Sequence, residues 1–472
     1  MKLSLIGCTS LLLAIATSIS AEDTVVPAPA VTVPAAVAEP LVAPVAAAPV
    51  AAAPVAAAPV AAAPTLTLDE ALVEAATHAP TPAIAQARLE RVRALQTQAR
   101  ALLMPTVTLG GSYGSQWTNR QPYAGRSTEI LAGQADVAIR LFDGTAFPAM
   151  KSAKNQFAGQ EHASRDLRRA SAFSVATSYL TVITAERLKV VATRRLDVAN
   201  QLLEEARARL KAGLAIASDV TRAEVEVADS NLSLSQAVQA IELGRLALQE
   251  AMGGREPGVL AEPLVTAPED QKPDDLLVIA RRQRDDLAAA RFAVESNLND
   301  AEVIRRGNWP VLGAHAGVAD QDRNDGTNGL YGDTHYVAGL TASWSLYDGG
   351  LRSGRVEETE AAGRERRLNV RAIELGAQRE VRTAVVQITT AVAGVAQAEA
   401  RSRSAAADAA DAFARYRAGT GTATELADAQ YRSASADADL TRRKIEVLSF
   451  RLGLRQALGS WPLSDVEPTG SP

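Results

Sequence analysis

The sequence is short of cysteine and of aromatic residues, and each shortage excludes something. One cysteine, Cys8, occurs in 472 residues, within the first apolar stretch. Met1-Lys2, an apolar stretch to Ile19 and the small pair Ser20-Ala21 read as a secretory signal peptide, residues 1–21. Its removal leaves a chain without cysteine, so disulfides are excluded. The string Leu5-Ile6-Gly7-Cys8 also resembles a lipobox that would make Cys8 a lipidated N-terminus. Only about five apolar residues precede it, against roughly 7–15 in an ordinary signal core. Aromatics are 4% of residues while alanine dominates, a balance that suits long helices with small-residue contacts better than a compact globule. Beyond the signal no run reaches the roughly 18 apolar residues of a spanning helix. A chain that crosses a membrane without such a helix must do so as a closed barrel.

The charge is balanced too, with 49 Lys and Arg against 54 Asp and Glu and no basic run, so nucleic acid is not an expected partner. The four histidines, His78, His162, His315 and His335, show no metal-ligand spacing. Asp320, Asp322 and Asn324 resemble the start of a calcium loop, but Asp325 stands where the turn glycine belongs and Tyr331 where the bidentate Glu belongs. A nucleophile elbow and a phosphate-binding glycine loop are both missing. The sequence therefore predicts no catalytic site, no metal and no cofactor.

What is present is repetition. Residues 22–64 are an Ala/Pro/Val tether with prolines at 44, 49, 54, 59 and 64. That spacing forbids a continuous helix and predicts an extended spacer. After it, Pro105 and Pro310 each end a helical stretch and begin a strand-like one. Leu141-Phe142-Asp143-Gly144 returns as Leu346-Tyr347-Asp348-Gly349, Lys211-Ala212-Gly213-Leu214 as Arg417-Ala418-Gly419-Thr420, and Met252-Gly253 as Leu458-Gly459. The offsets are 310 − 105 = 205, 349 − 144 = 205, 419 − 213 = 206 and 459 − 253 = 206. The chain reads as two copies of one unit, residues 65–253 and 274–460, joined by a Pro-rich linker, 254–273, and followed by a tail, 461–472.

Each unit is predicted to begin with one helix, over 68–103 or 274–306. Thr67 is placed to cap the first, with Glu70 three residues on as in a capping box. Two alternating segments follow. Then a helical stretch unbroken by proline runs over 149–211 or 351–417, about 90–100 Å. A glycine turn reverses it, and a shorter helix returns to Gly253 or Gly459. Phe173, Leu180, Ile183, Leu188, Val191, Val198 and Leu202 recur at three- and four-residue steps, with Ala and Ser between them, which is coiled-coil spacing for closely packed helices.

The alternating segments place Val107, Leu109, Gly111 and Tyr113 on one face against Thr106, Thr108, Gly110 and Ser112. Ala135, Val137, Ile139 and Leu141 oppose Asp136 and Arg140; Leu340, Ala342, Trp344 and Leu346 oppose Thr341, Ser343 and Ser345; Leu312, Ala314, Ala316 and Val318 oppose His315. At about ten residues each, these suit tilted membrane strands, apolar outside and polar inside. Between them, 118–131 and 320–333 read as long polar loops. Four strands do not close a barrel, for which roughly eight are needed, and lipid tolerates no open edge. The chain must therefore oligomerise. Three copies give twelve strands; two or four stay formally open.

These landmarks resemble the TolC family of outer membrane efflux proteins over nearly all of residues 65–460. The resemblance rests on Thr65-Leu66-Thr67-Leu68-Asp69-Glu70-Ala71-Leu72, the paired Phe-Asp-Gly and Tyr-Asp-Gly-Gly turns, Asp219-Val220 with Ala223-Glu224, Glu425-Leu426 with Ala429-Gln430, and Leu458-Gly459. It implies a mainly α fold with a transmembrane β-barrel: a homotrimer of two-repeat chains, twelve strands in the outer-membrane lipid, and an α-helical periplasmic tunnel. It also implies a passive exit duct for drugs, toxic compounds or metal ions, reached through a periplasmic adaptor and driven by an inner-membrane pump. The same architecture serves type I protein secretion with an ABC exporter, and these residues do not choose between them. A periplasmic coiled-coil scaffold is the rival of another class.

By the resemblance, the glycine turns are the periplasmic tips, and Ala212, Gly213, Leu214, Ala418, Gly419 and Thr420 contact the adaptor. Glu425 and Asp428, three apart and so on one helical face, match the family's acidic constriction. Three-fold symmetry would make them stacked carboxylate rings that favour cations. Tyr416 and Asp219 fall where the family has a hydrogen-bonded latch. Gly421 stands in place of its arginine, so a less firmly held closed state is expected.

Overall fold

The computed structural model describes residues 65–118, 126–268, 271–324 and 330–463. The expected signal peptide and tether lie outside them, as do residues 464–472 of the tail. The described chain runs β1 (Thr65–Leu66), α1 (Leu68–His78), α2 (Pro80–Ala101), β2 (Thr106–Thr118), β3 (Arg126–Phe142), α3 (Ala146–Lys211) and α4 (Ala217–Ala251). It continues with β4 (Val259–Leu260), α5 (Pro273–Gln283), α6 (Asp285–Arg306), β5 (Val311–Asn324), β6 (Leu330–Ser343), α7 (Leu351–Arg417) and α8 (Ala423–Leu458). Six elements of each half thus match in type and order. Their starts differ by 205 at α1/α5, α2/α6, β2/β5 and α3/α7, by 204 at β3/β6 and by 206 at α4/α8, close to the offset of the landmarks.

The helix expected over 68–103 is two helices. Ala79 is extended (φ −68°, ψ 145°) because Pro80 follows it and clashes with a helical residue before it. The helix expected over 274–306 breaks as well, at Arg284 (φ −70°, ψ 112°), where no proline is near. Here the side chain holds the kink. Arg284 donates to Asp286 at 2.7 Å and to the Ala457 carbonyl at 3.3 Å, and also pairs with Glu380. Burial pushes the Asp286 carboxyl up, but the Arg284 hydrogen bond and charge outweigh it and hold the group below its ordinary value. The capping box forms as read: Thr67 N donates to Glu70 Oε2 at 2.8 Å and Glu70 N to Thr67 Oγ1 at 3.3 Å.

Each kink receives the end of a returning helix. Gly253 (φ +87°), after α4, abuts His78 and Ala79; Gly459 (φ +81°), after α8, abuts Gln283 and Arg284. The C-terminal end of a lower helix therefore meets the N-terminal end of an upper one, an arrangement the helix dipoles favour. At the second joint Arg169, 5% exposed, ties the two ends together. It donates to the Gly459 carbonyl at 2.8 Å, to Asp285 at 2.9 Å and to Asp166 at 2.7 Å, while His162 Nδ1 lies 2.7 Å from Asp285.

Apolar packing gathers around these joints. One core joins Leu68, Leu72, Phe173, Val175, Tyr179, Ile183, Leu248 and Met252, and a second joins Leu276, Leu277, Val381, Ile388, Leu454 and Leu458. Positions related by the repeat fill equivalent places, as Leu72 and Leu277 or Leu248 and Leu454 show. Beside the first core, β1 and β4 form a short parallel ladder. The Tyr179 hydroxyl sits 2.8 Å from the Leu66 carbonyl and 2.6 Å from that of Ala261, with burial pushing the phenol up to about 12.

The other end of the chain is a four-stranded antiparallel sheet in the order β2-β3-β5-β6. The strands run 13, 17, 14 and 14 residues, longer than expected. The flanks of the loops expected over 118–131 and 320–333 are strand, and their centres, 119–125 and 325–329, lie outside the described residues. Backbone ladders continue without apolar side chains, so an alternation rule that stops at the apolar band stops too early. It also ran too far at the opposite end, because Trp344 and Leu346 lie beyond β6. The sheet's apolar face is bare: Leu109 is 86% exposed and Leu340 80%. Asp136, Arg140, Gln134, His315 and Thr341 fall on the opposite face by register.

Candidate functional site

At about 1.5 Å per residue, α3 and α7, of 66 and 67 residues, each extend about 100 Å. Each carries its glycine turn that far from its start. Gly213 (φ +73°) and Gly419 (φ +75°) occupy the left-handed region that non-glycine residues disfavour, which makes the reversal possible. The first turn ends in apolar residues, Leu214 at 78% exposed and Ile216 at 66%. The second carries Thr420, Gly421 and Thr422.

The helix that leaves each turn is capped differently. Thr422 and Glu425 form a complete capping box on α8: Glu425 N donates to Thr422 Oγ1 at 3.2 Å and Thr422 N approaches Glu425 Oε2 at 3.5 Å. On α4, Ile216 has no side-chain acceptor, so only half of the box exists, Ile216 N to Asp219 Oδ2 at 3.3 Å. The equivalent carboxylates Asp219 and Glu425 are thus both drawn back to their own helix starts. Asp428, one turn on, is exposed and lines a cavity of about 240 Å³ between the hairpins with Asp219, Arg222, Glu226, Tyr416 and Leu426.

Tyr416 is 7% exposed and packs with Ala409, Ala412, Leu426 and Ala429. The guanidinium of Arg209 lies 3.9 Å from its ring centre, a cation–π contact between the two hairpins. Burial pushes the phenol up; Arg209 acts against that, while Glu205 and Asp219 add to it. Tyr416 and Asp219 therefore line one cavity, and the Asp219 charge adds to the upward push on the phenol. Gly421 explains its own identity: a Cβ there would lie 3.1 Å from the Tyr416 amide nitrogen and 3.1 Å from Arg415 Cβ. An arginine does not fit at this turn without shifting it.

Sequence reading missed the bonds that do cross between the hairpins. Arg222 on α4 donates to Thr424 on α8 at 2.6 Å. Arg195 on α3, paired with Glu226 of its own hairpin at 2.8 Å, reaches across to lie over the Tyr431 ring of α8 at 5.3 Å. The only sequence signal was Arg222 and Glu226 sharing a helix face at i and i+4; the partner of Arg222 lies on the other hairpin.

The family model "Outer membrane efflux protein" matches residues 71–254 and 276–460, one match for each half. The chain is 23% identical to outer membrane efflux protein BepC of Brucella suis biovar 1 (strain 1330) over 257 residues, 54% of this chain and 56% of that one. It is 27% identical to nickel-cobalt-cadmium resistance protein NccC of Alcaligenes xylosoxydans xylosoxydans over 332 residues, 67% and 69% of the two chains. The matched region thus spans just over half the length of BepC. In fold, the structure resembles outer membrane protein VceC of Vibrio cholerae, with a TM-score of 0.71 at 21% identity over 84% of this chain and 96% of that one. Paired matches over both halves, on a fold shared with VceC, show that this chain belongs to the outer membrane efflux protein family.

Proposed function

We propose that three copies of this chain close a twelve-stranded barrel in the outer membrane and gather their hairpins into a periplasmic tunnel, forming a passive exit duct. One observation carries this reading: a four-stranded sheet with two unpaired edges and a bare apolar face continues directly into helices about 100 Å long. Neither end is stable alone in its medium. Lipid covers the apolar face but tolerates no open strand edge, so the sheet closes with its copies. The polar face then lines the lumen. The duct supplies no chemistry, and a pump in the inner membrane, reached through a periplasmic adaptor, supplies the energy. The tips around Ala212-Gly213-Leu214 and Ala418-Gly419-Thr420 are the adaptor surface.

The transported class is small toxic solutes, metal cations among them. NccC is by name a metal-resistance protein, and an acidic constriction suits cations. In the trimer, Asp428 and Glu425 line the narrow end. Asp428 is the stronger of the two because the Glu425 carboxylate is held by the Thr422 amide. Tyr416 under Arg209, with Asp219 beside it and Arg222 bonded to Thr424, holds the hairpins together when the tip is shut.

Single-channel recording tests the constriction. Asp428→Ala is expected to reduce the cation-over-anion permeability ratio several-fold, and Glu425→Ala to reduce it less, because the lost charges sit in a narrow opening. Selectivity unchanged in both variants contradicts the assignment.

A further inference from the structure

The polar face of the sheet repeats one arrangement. A polar side chain on one strand stands directly opposite a glycine on the next: Gln134 opposite Gly110, Asp136 opposite Gly317, His315 opposite Gly339 and Thr341 opposite Gly313. In each case the side chain lies across that glycine. A Cβ on Gly317 would collide with Asp136 Oδ1 and lie 3.2 Å from its Cγ. One on Gly339 would lie 2.9 Å from His315 Cε1, one on Gly313 2.9 Å from Thr341 Oγ1, and one on Gly110 3.3 Å from Gln134 Cγ. These groups therefore run along the wall and do not stand out from it.

Asp136 is set apart by its charge. Between the levels of Arg140 and His335 it is the only carboxylate on this face among the described residues. The charged groups at either limit are engaged: Arg140 donates to Asp143 Oδ2 at 3.1 Å, and His335 Nε2 lies 3.1 Å from Asp333 Oδ2. His315 leans away, over Gly339 of β6. What faces Asp136 is neutral: Thr108 on β2, Gly317 on β5, and Gln134 and Ala138 along its own strand. It has no ion-pair partner among the described residues. Behind it, the apolar face carries Val107, Leu109 and Val137, all exposed.

We infer that Asp136 is a second determinant of ion selectivity, an acidic ring in the barrel lumen with Gly317 as its seat. This rests on the reading that three copies close one barrel with the polar face inward. Closure sets three Asp136 carboxylates at one level, near the strand ends that join the helices, since Thr108 opposite is the third residue of β2. Lipid behind a charged wall is a low-dielectric medium and directs the field into the water. Unpaired carboxylates on that wall draw cations and repel anions. Lying flat, they do so without narrowing the passage. The tip carboxylates act on ions squeezed against them, whereas a ring on a wide wall acts over the screening distance. That distance is about 30 Å at about 10 mM salt and about 3 Å at about 1 M. Salt therefore separates the two rings.

Reversal potentials in planar bilayers test this in the Glu425→Ala, Asp428→Ala background, where these tip charges are gone. Asp136→Asn is expected to lower the remaining cation-over-anion permeability ratio about two-fold at about 10 mM salt and to leave it unchanged at about 1 M. Asp136→Glu should keep the ratio. Gly317→Ala keeps the charge but turns the carboxylate away from the wall toward the path of the ions, so the ratio should rise. Gly114→Ala, on the same face with nothing within 4 Å of a Cβ, should not move it. A ratio unmoved by Asp136→Asn at low salt, or moved equally at both salt concentrations, overturns the ring and leaves the duct standing. A parent protein that never conducts removes the duct, and the ring with it.

Discussion

Replacing Arg169 with leucine is expected to destabilise the solubilised protein by about 3 kcal/mol, the lower end of the cost of breaking a buried ion pair by removing one partner. The reason is where the side chain stands. Arg169 is 5% exposed and serves three acceptors at once: Asp166, Asp285 and the carbonyl of Gly459. Leucine leaves the Gly459 carbonyl without its guanidinium and Asp285, 8% exposed, with one cation fewer. His162 remains at 2.7 Å and Arg165 at 3.7 Å from Asp285, which keeps the loss from being larger. The double variant Arg169→Leu with Asp285→Leu should recover part of the loss, since two apolar groups in place of a buried pair are often tolerated. Urea unfolding followed by helical circular dichroism measures both. A single variant as stable as the parent contradicts the role given to this joint.

The second large effect is expected at Gly253. Its φ of +87° alone costs a side-chain-bearing residue about 1–2 kcal/mol. The new methyl would in addition collide with the His78 carbonyl, whose carbon would be 2.6 Å away, and lie 2.9 Å from Ala79 N. These are backbone atoms at the α1–α2 kink, so relief requires moving a helix end and not a side chain. Gly254 is the internal control, with φ +106° and nothing within 4 Å of a Cβ. Gly253→Ala is therefore expected to lose well over the backbone penalty, and Gly254→Ala that penalty alone. Equal losses in the same urea experiment would show that the close seating of α4 beneath the kink is not what requires glycine.

Much of this was legible before any coordinates. The repeat offset, the long proline-free helices, the glycine turns and the sheet's two faces follow from local rules: periodicity, the φ tolerance of glycine, and alternation. The Thr67–Glu70 box was legible for the same reason. The break at Ala79 was equally present, in Pro80, and was overlooked because the apolar pattern continues across it. The break at Arg284 was not legible: it depends on Glu380 and the Ala457 carbonyl, 96 and 173 residues away. The tip is similar. The turns and carboxylates could be found by pattern, but Arg222 with Thr424, separated by 202 residues, depends on how two hairpins lie against each other. Likewise the cavity wall that gathers Asp219, Tyr416 and Asp428 is made by packing, not by spacing.

The most direct test asks whether this chain, without an apolar spanning helix, makes a hole in a lipid bilayer. The mature protein should be extracted from outer membranes by detergent as a trimer and added to planar bilayers. Discrete, cation-preferring conductance steps are the expected result. A water-soluble monomer, or a detergent-extracted protein that never conducts, would contradict the closed barrel on which the duct depends.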